Sequence, residues 1–189
     1  MNVAIIDNYD SFTHNIAHIV RNHPSVNLQI IIAEEVNLNH IARFEKIIFS
    51  PGPDLPVNGN IMEKILKQYG GLRSILGICL GMQAIVKYFG GNLVQLENVV
   101  HGRIKTITKT EVNSGLFTGL PSSFEAGFYH SWIADRNGFP ECLKITALSD
   151  EMRIMAVKHR DHDIEGVQFH PESFMTSFGC KMITNWLQS

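Results

Sequence analysis

The segment 74–85 constrains the fold more than any other part of the chain, because an apolar run passes into a helix across a turn held between two glycines. Gly77 and Gly81 bracket Cys79, and a helix-forming segment follows over about 82–89. A strand, a sharp turn and a helix around one nucleophilic side chain are typical of a nucleophile elbow, here with Cys in place of the usual Ser. The glycines fit such a turn because a side chain there would collide with the neighbouring strand or helix.

The position of Cys79 allows two interpretations. A thiol at the start of a helix lies near unpaired N–H groups and the positive end of the helix dipole, and both favour the reactive thiolate. A free Cys after a strand is also commonly a small buried side chain without any chemistry. The Gly-x-Cys-x-Gly pattern alone leaves both interpretations open.

Apolar runs alternate with amphipathic segments over the first ninety residues. This alternation predicts an α/β fold with three layers, in which an open, mostly parallel sheet has helices on both faces. The predicted strands are 3–6, 28–32, 46–50 and 74–78, and the predicted helices are 11–22 (with Ser11 as N-cap), 38–44, a segment around 61–66, and 82–89. Sites in such sheets form beyond the carboxyl ends of the strands, so we expect residues 7–11, the proline-rich loop 50–56 and Cys79 to meet.

Shorter segments with period-two patterning follow Gly90 and Gly91, and they predict a smaller antiparallel β portion. The predicted strands are 92–96, 103–108, 124–129, 143–148, 154–158 and 164–168, with the last two joined as a hairpin across the polar turn 159–163. A terminal helix is predicted over 174–187. Because no repeat or linker interrupts the pattern, we expect a single domain over residues 1–189.

Composition and charge argue against several classes of function. The 189 residues are 44% hydrophobic and 18% charged, and a net charge of −2 gives no reason to expect a nucleic acid or a membrane as partner. The three Cys residues are widely spaced and form neither a disulfide framework nor a Cys-x-x-Cys metal site, as is usual in a reducing compartment. No signal peptide and no membrane-spanning run is visible, so we expect a cytoplasmic protein.

A thiol nucleophile needs a base, usually His, that a third polar group orients. Among nine His residues, His170 stands out because an apolar strand precedes it directly and Pro171 and Glu172 follow it. An extended His-Pro-Glu at a strand end lets Glu172 bond one imidazole nitrogen while the other nitrogen faces a thiol. Taken alone, the motif also fits a surface turn with an uninvolved His. Together with Cys79 at the end of another strand, it favours a Cys-His-Glu triad.

Several motifs in one order along the chain resemble those of a known family. The segments 77–83 (Gly-Ile-Cys-Leu-Gly-Met-Gln) and 166–173 (Gly-Val-Gln-Phe-His-Pro-Glu-Ser) resemble the class I (triad) glutamine amidotransferases. The opening 7–13 (Asp-Asn-Tyr-Asp-Ser-Phe-Thr), the loop 50–53 (Ser-Pro-Gly-Pro) and the segment 129–132 (Tyr-His-Ser-Trp) narrow the resemblance. They are similar to the small subunit, or component II, of anthranilate synthase and aminodeoxychorismate (para-aminobenzoate) synthase. The resemblance extends over nearly the whole chain.

This resemblance implies a glutaminase mechanism and gives each motif residue a role. Cys79 attacks the side-chain amide of L-glutamine, His170 transfers protons, and Glu172 orients His170. The residues implied for the oxyanion hole are Gly52 and Leu80, through their backbone N–H groups, and those implied for substrate binding are Gln83, Ser131 and Trp132, the last two through backbone groups. The resemblance implies no metal and no cofactor in this subunit.

The resemblance also implies that the released ammonia serves a chorismate-binding synthase subunit, which holds magnesium in its own active site. The sequence contains no synthase domain, so we expect that partner to be a separate polypeptide in a hetero-oligomer. We expect the contact surface to include residues 7–11, the loop 50–56 and His101 with Gly102. The motifs do not distinguish anthranilate from aminodeoxychorismate as the product, and one subunit that serves both partners is compatible with them.

Three positions depart from the family pattern. Met82 stands where His is common, Phe128 where a basic residue is common, and Asp54 where a further Gly is usual. None of the three replaces a member of the triad. We expect these departures to alter the shape of the glutamine pocket and the coupling to the partner, with Asp54 narrowing the entrance.

Two other classes of function remain as alternatives. One is a stand-alone thiol hydrolase or peptidase on a similar fold, and the other is a flavodoxin-like binding module in which residues 11–13 bind a flavin phosphate. Asp7 and Asp10 also fit a metal or phosphoacceptor site, although a turn or interface role is favoured because no further acidic cluster accompanies them. His159 and His162 have metal-like spacing but lie in a charged turn, where we expect them to be solvated.

Overall fold

A computed structural model describes the backbone of residues 1–189 and the side chains of residues 1–97 and 101–189. The strands are β1 (Asn2–Asp7), β2 (Asn27–Ile32), β3 (Lys46–Phe49), β4 (Ser74–Ile78), β5 (Leu93–Lys109), β6 (Ser123–Ala134), β7 (Leu143–Ser149), β8 (Ile154–His159) and β9 (Ile164–Val167). The α-helices are α1 (Thr13–Arg21), α2 (Leu38–Ile41), α3 (Ile61–Tyr69), α4 (Leu80–Tyr88) and α5 (Gly179–Gln188).

Across the described backbone the strands form one sheet in the order β2-β1-β3-β4-β9-β8-β7-β5-β6. The strands from β2 to β9 in this order run parallel, and the remaining strands continue the sheet with antiparallel pairing. Every residue of β3 and β4 is buried, as expected for central parallel strands that are covered on both faces. The predicted α/β fold is confirmed, and the antiparallel portion is an extension of the same sheet.

Helices cover both faces of the parallel part. On one face α1 packs against α5, and Ile16 and Met182 join a buried cluster that includes Ile5 of β1. On the other face α3 packs against α4, and Ile65 joins a second cluster that includes Ile6. Neighbouring residues of β1 serve opposite faces because side chains alternate along a strand. No helix in the described part of the chain is both long enough and apolar enough to cross a bilayer.

The parallel order brings several chain segments to one edge of the sheet. The carboxyl ends of β1, β3, β4 and β9 lie side by side, because each of these strands pairs in parallel with the next. Residues that follow these strands therefore meet there, and segments 10–12, 51–55 and 168–170 gather around Cys79. The prediction that the loops after the first, third and fourth strands meet is confirmed.

The antiparallel part differs from the prediction in its continuity. The segments predicted as strands 92–96 and 103–108 belong to one strand, β5, which pairs with β6 along most of its length. Two register shifts interrupt this pairing, one of them between His101 and Arg103. Such irregularities break the period-two pattern, so a continuous strand has the sequence signature of two short ones.

The start of α1 also differs from the prediction. Phe12 occupies the N-cap position, and Ser11 makes no capping hydrogen bond. The Phe12 N–H instead donates to Oδ1 of Asp10 at 2.8 Å. An Asp side chain two residues upstream thus replaces the predicted Ser cap, an arrangement common in Asx turns.

The terminal helix is shorter than predicted. It begins at Gly179, whereas the apolar spacing predicted a start at Phe174. Residues 170–178 are folded into successive turns, and Phe174 is 89% exposed. The predicted helix is too long because Phe174 and Phe178 have helical spacing, although only Phe178 packs against the core.

Candidate active site

Cys79 lies at a sharp turn between β4 and α4, as the elbow pattern predicted. Its backbone has φ +51° and ψ −101°, a conformation that residues other than Gly rarely adopt. A β-carbon on Gly77 would lie 2.5 Å from the carbonyl carbon of Gly81, and one on Gly81 would lie 2.6 Å from the Phe49 oxygen. Both glycines are therefore required by close packing around the turn, and α4 begins at Leu80 rather than at the predicted residue 82.

His170 and Glu172 lie beside Cys79 because β9 pairs in parallel with β4. Nδ1 of His170 donates to Oε1 of Glu172 at 2.7 Å, and both side chains are buried. Nε2 of His170 makes no hydrogen bond of ordinary geometry within the described residues. It is nevertheless close enough to the Cys79 thiol for the two groups to interact, and such contacts often tighten only when substrate binds.

The charge state of His170 follows from these neighbours. Burial lowers the pKa of His170, but its interactions with Cys79 and Glu172 outweigh this effect and raise the pKa to about 10. The imidazolium is therefore the favoured form at neutral pH.

Backbone hydrogen bonds fix the main chain of His170. Its N–H donates to the Gly127 carbonyl at 3.1 Å, and its own carbonyl accepts from the Thr176 hydroxyl at 2.6 Å. The same Thr176 oxygen accepts from the Gly127 N–H at 3.0 Å. The His170 turn is thereby attached to β6 on both sides.

Aromatic side chains surround the imidazole. The rings of Phe12 and Tyr129 lie with their centroids 5.6 and 4.9 Å from that of His170, in edge-on contacts with interplanar angles of 64° and 69°. The two rings also contact each other, with a centroid distance of 5.1 Å. This packing limits the rotation of His170 and keeps water away from one side of the ring.

Gly52 and Leu80 lie against each other beside the turn that holds Cys79. A β-carbon on Gly52 would be 2.5 Å from Cδ2 of Leu80 and 2.9 Å from the Asn8 oxygen. Asn8 fixes the loop, since its N–H donates to Ser50 Oγ at 2.9 Å and its Nδ2 donates to the Ser50 carbonyl at 3.0 Å. Leu80 is the first residue of α4, so its N–H has no acceptor within the helix.

Gln83 is buried on α4, one turn beyond Cys79. Its Nε2 donates to the Trp132 carbonyl at 2.9 Å and to Oε1 of Gln168 at 3.3 Å. Gln168 in turn donates from Nε2 to Sγ of Cys79 at 3.5 Å. Gln168 is not among the predicted site residues, although it lies two residues before His170 within a motif that carries the family resemblance.

These residues line a cavity of about 550 Å³ at the carboxyl edge of the sheet. Of the predicted site residues, those on its wall are Gly52, Cys79, Leu80, Gln83, Ser131, Trp132 and His170. Glu172 lies behind His170 and does not face the cavity. The cavity is large enough for an amino acid side chain with its α-amino and α-carboxylate groups.

His130 also lines this cavity, although it is not among the predicted site residues. Burial and the nearby positive charges of His170, Arg153 and Lys105 lower the pKa of His130 to about 3. Its Nδ1 is buried and has no hydrogen-bond partner among the described residues. His130 is therefore a neutral imidazole with a free polar atom close to the imidazolium of His170.

The three departures from the family pattern lie in different places. Met82 is fully buried and packs against Gly166 of β9. A β-carbon added to Gly166 would lie only 3.0 Å from the Met82 side chain. Phe128 is buried and does not line the cavity. Neither Met82 nor Phe128 lines the cavity, so an effect of these two residues on the shape of the glutamine pocket would be indirect and stays a prediction. Asp54, in the loop 50–56, does line the cavity.

Asp7 and Asp10 act in the turn before α1. Oδ1 of Asp7 accepts from the Thr13 hydroxyl at 2.8 Å and from the Asp10 N–H at 3.3 Å. Burial is the largest influence on the Asp10 carboxyl and raises its pKa. Within residues 1–97 and 101–189, no group of three or more His, Cys, Asp or Glu side chains is arranged to hold a metal ion.

Of the two His residues predicted to be solvated in the turn 159–163, His162 is exposed as predicted and His159 is not. Their rings stack with centroids 4.4 Å apart, and His159 is buried. Nδ1 of His159 accepts from the N–H groups of Asp161 and His162 at 3.1 and 3.0 Å. His159 therefore stabilises the β8–β9 turn, and only His162 is exposed.

Comparison with known proteins identifies the family. Residues 4–189 match the class-I glutamine amidotransferase family. A Haemophilus influenzae protein provisionally named anthranilate synthase component II is 44% identical over 99% of this chain and 96% of its own length. The aminodeoxychorismate synthase component 2 of Escherichia coli is 36% identical over 98% of each chain. The aminodeoxychorismate/anthranilate synthase component 2 of Bacillus subtilis is 37% identical over 99% of this chain and 96% of its own.

Solved structures show the same fold. A crystal structure from Thermoplasma acidophilum, provisionally described as one of the subunits of GMP synthase, superposes with a TM-score of 0.87 at 22% identity, over 100% of this chain and 92% of that one. A glutamine amidotransferase from Thermotoga maritima superposes with a TM-score of 0.76 at 16% identity, over 100% and 81%. The chain belongs to the class I glutamine amidotransferases, and its relatives at 34–44% identity include proteins named as component II or component 2 of anthranilate synthase and of aminodeoxychorismate synthase.

Proposed function

We propose that this protein is the glutaminase subunit of a chorismate-aminating synthase. The observation that supports this function best is the buried His170–Glu172 hydrogen bond of 2.7 Å beside the elbow thiol of Cys79. A charged imidazole, an orienting carboxylate and a strained nucleophile around one cavity match the requirements of thiol-based acyl transfer. The family to which the chain belongs and the names of its relatives agree with this chemistry.

In the first half of the proposed reaction, Cys79 forms a thioester with glutamine. The Cys79 sulfur attacks the side-chain carbonyl carbon and forms a C–S bond, and the carbonyl oxygen becomes an oxyanion. The backbone N–H groups of Gly52 and Leu80 are proposed to stabilise that oxyanion. Loss of one such donor typically raises the barrier by about 2.7–4 kcal/mol. His170 then donates its proton to the nitrogen, the C–N bond breaks, and ammonia leaves.

In the second half, water hydrolyses the thioester. His170, now neutral, accepts a proton from water while the water oxygen attacks the thioester carbonyl. The C–S bond breaks, glutamate is released, and the thiolate–imidazolium pair of Cys79 and His170 is restored. Glu172 remains ionised throughout and holds the proton on Nδ1, so that Nε2 of His170 is the nitrogen that exchanges protons.

Substrate orientation is proposed to depend on Gln83 and on the backbone of Ser131 and Trp132. Gln83 is held from behind by its hydrogen bond to the Trp132 carbonyl. A buried amide with a fixed direction discriminates well between polar groups, because a mismatched substrate leaves it unpaired. The half-reaction proposed here requires no metal or cofactor in this subunit.

The useful product of this reaction is ammonia, which implies a partner. At neutral pH ammonia released into water becomes ammonium, which is not a nucleophile, so the acceptor site must lie next to this cavity. We infer that a separate synthase subunit, which binds chorismate and magnesium, covers the edge formed by residues 7–11, the loop 50–56 and His101. The relatives include proteins named for anthranilate, for aminodeoxychorismate and for both, so both synthases are candidate partners.

A glutaminase assay with each synthase subunit tests the proposal. We expect glutamate release to increase when the correct partner is added, and aminated product to form from chorismate and glutamine. In Cys79→Ala, glutamine-dependent synthesis is lost while synthesis from ammonium salts persists. Cys180→Ala, at an exposed thiol on α5, is the matched control and retains both activities.

Three outcomes would contradict the proposed function. Glutamine-dependent synthesis that persists in Cys79→Ala would remove the nucleophile from the mechanism. Hydrolysis of peptides or esters with no release of glutamate from glutamine would indicate a stand-alone thiol hydrolase instead. A bound flavin in the purified protein would indicate the flavodoxin-like class.

A further inference from the structure

Gln168 is a fully buried amide in contact with the proposed nucleophile. It directly follows β9, and its backbone N–H donates to the Met155 carbonyl at 2.8 Å. Its side chain extends toward the elbow, where Nε2 lies 3.5 Å from Sγ of Cys79. The sheet therefore holds the backbone of Gln168 independently of anything its side chain does.

The direction of the Gln168 amide is determined by its neighbours. The Trp132 carbonyl can only accept, so the atom of Gln83 facing it at 2.9 Å is the NH2 group. That NH2 group has a second proton, which is directed at the Gln168 amide at 3.3 Å. The atom of Gln168 that receives it must be the oxygen. The NH2 group of Gln168 is consequently the end that faces the Cys79 sulfur.

The sulfur is the hydrogen-bond acceptor for Gln168 Nε2 within the described residues, and no oxygen or nitrogen atom replaces it there. A neutral thiol is a weak acceptor, whereas a thiolate is a strong one. A buried amide donor with only this acceptor is therefore better satisfied when Cys79 is ionised. The relay from Trp132 through Gln83 and Gln168 thus favours the attacking form of the nucleophile.

We propose that Gln168 stabilises the Cys79 thiolate and directs its sulfur toward the cavity, as a hydrogen-bond donor to the sulfur in addition to His170. This inference rests on the proposed function, in which Cys79 attacks glutamine. Gln168 itself touches the reacting sulfur and not the substrate, because it does not line the cavity. Its loss is therefore expected to affect the chemical step more than substrate binding.

The alternative is that Gln168 only fills a polar gap between β9 and α4. A purely structural amide would tolerate a side chain of similar volume, with a loss of stability but no specific effect on the thiol. Two substitutions separate these roles. Gln168→Met keeps the approximate volume and removes the donor, and Gln168→Glu keeps the shape, still accepts from Gln83, and places a carboxylate against the sulfur.

The experiment measures the pH dependence of Cys79 alkylation by iodoacetamide, in Cys142→Ala/Cys180→Ala protein so that one thiol reports. We expect the pH of half-maximal alkylation to rise by about one unit in Gln168→Met and by more in Gln168→Glu, because a hydrogen bond to a charged group contributes about a tenfold or larger factor. Gln188→Glu adds the same charge at an exposed position at the end of α5 and leaves the profile unchanged.

Glutamine hydrolysis is the second readout. We expect kcat to fall roughly 10- to 100-fold in Gln168→Met, with KM changed by less than about threefold. An unshifted alkylation profile in Gln168→Met would overturn the proposal, even if activity fell, and so would a KM effect larger than the kcat effect. If Gln168→Glu does not fold, the alkylation profile of Gln168→Met alone decides whether the proposal holds.

The alkylation readout needs no glutaminase activity. A shifted profile in a protein that never hydrolyses glutamine would therefore support the role of Gln168 while refuting the proposed function. An unshifted profile in an active glutaminase would support the proposed function while refuting the role of Gln168. Thermal unfolding of each variant identifies any loss of stability that accompanies the change in the thiol.

Discussion

Gly179, the first residue of α5, lies so close to Pro171 that a β-carbon on it would come within 1.6 Å of the Pro171 oxygen. Pro171 is the residue between His170 and Glu172, so α5 supports the turn that holds the proposed base and its orienting carboxylate. The terminal helix is thus connected directly to the active site. This relationship makes Gly179 a sensitive position outside the cavity.

Gly179→Ala is expected to displace the His170 turn. The added methyl group would overlap backbone atoms, which cannot move aside as a flexible side chain would, so we expect a loss of about 3 kcal/mol or more in the free energy of unfolding. Urea unfolding and glutaminase assays measure the effect. Gly115→Ala is the matched control, because its nearest neighbour would be 3.9 Å away. Equal stability and activity in the two variants would contradict this account.

Thr176→Val tests the attachment of His170 to β6. The substitution keeps the shape but removes the hydroxyl that bonds the His170 carbonyl and the Gly127 N–H. The Gly127 N–H then loses this acceptor, whereas the His170 carbonyl still accepts from the Ser173 N–H at 3.1 Å. A buried backbone group left unpaired costs about 1–3 kcal/mol, so we expect lower stability, and we expect a lower kcat because His170 loses one of its attachments. Thr176→Ser retains the hydroxyl and remains close to wild type. A Thr176→Val protein with wild-type kcat would show that these hydrogen bonds do not position His170.

The proximity of Cys79, His170 and Glu172 could be predicted from the sequence because its constraints are local. The two glycines around Cys79 are needed by a turn that the sequence itself indicates, and His170-Pro171-Glu172 follows an apolar strand directly. Parallel pairing then brings both strand ends to one edge, so no long-range detail was needed to expect them together. The residues expected for the oxyanion hole and for substrate binding were implied by the family resemblance and not by their spacing.

Other features depend on contacts that the sequence does not display. Gln168 meets Cys79 across 89 positions of the chain, and a single Gln after a strand gives no signal of its partner. The direction of the Met82 side chain depends on the rotation of α4, which places it against Gly166 instead of in the cavity. The sequence pattern divides β5 in two because irregular pairing obscures the alternation on which strand prediction relies.

The stability of the folded state should fall both as the pH rises above neutral, because of His170, and as the pH falls below neutral, because of His130. The pKa of His170 is raised to about 10 in the folded state, so its contribution is complete below its unfolded pKa near 6.5 and is lost as the pH rises toward 10. The pKa of His130 is lowered to about 3. The unfolded state therefore binds more protons at His130 between about pH 6.5 and 3, and stability falls as the pH falls through that window.

His130→Gln isolates the acidic limb. Glutamine cannot be protonated in this range, so the loss of stability between about pH 6.5 and 4 becomes shallower by at most about 1.4 kcal/mol per pH unit. Urea unfolding at a series of pH values measures the slope. His14→Gln changes an exposed His on α1 and serves as the control. An acidic limb of wild-type slope in His130→Gln would show that His130 is not buried as a neutral imidazole.

Gly52→Ala tests the proposed oxyanion hole. The methyl group would overlap Cδ2 of Leu80 and the Asn8 oxygen, so the loop must move away from the first turn of α4 and take its N–H with it. We expect kcat to fall by roughly 10²–10³, the effect of losing one oxyanion donor. Gly71→Ala, whose added carbon would meet only the His162 ring at 3.5 Å, is the matched control.

Since Cys79 and His170 are untouched, alkylation of Cys79 by iodoacetamide should persist in Gly52→Ala. Loss of alkylation together with kcat would indicate a collapsed elbow, and an unchanged kcat would exclude Gly52 from the oxyanion hole.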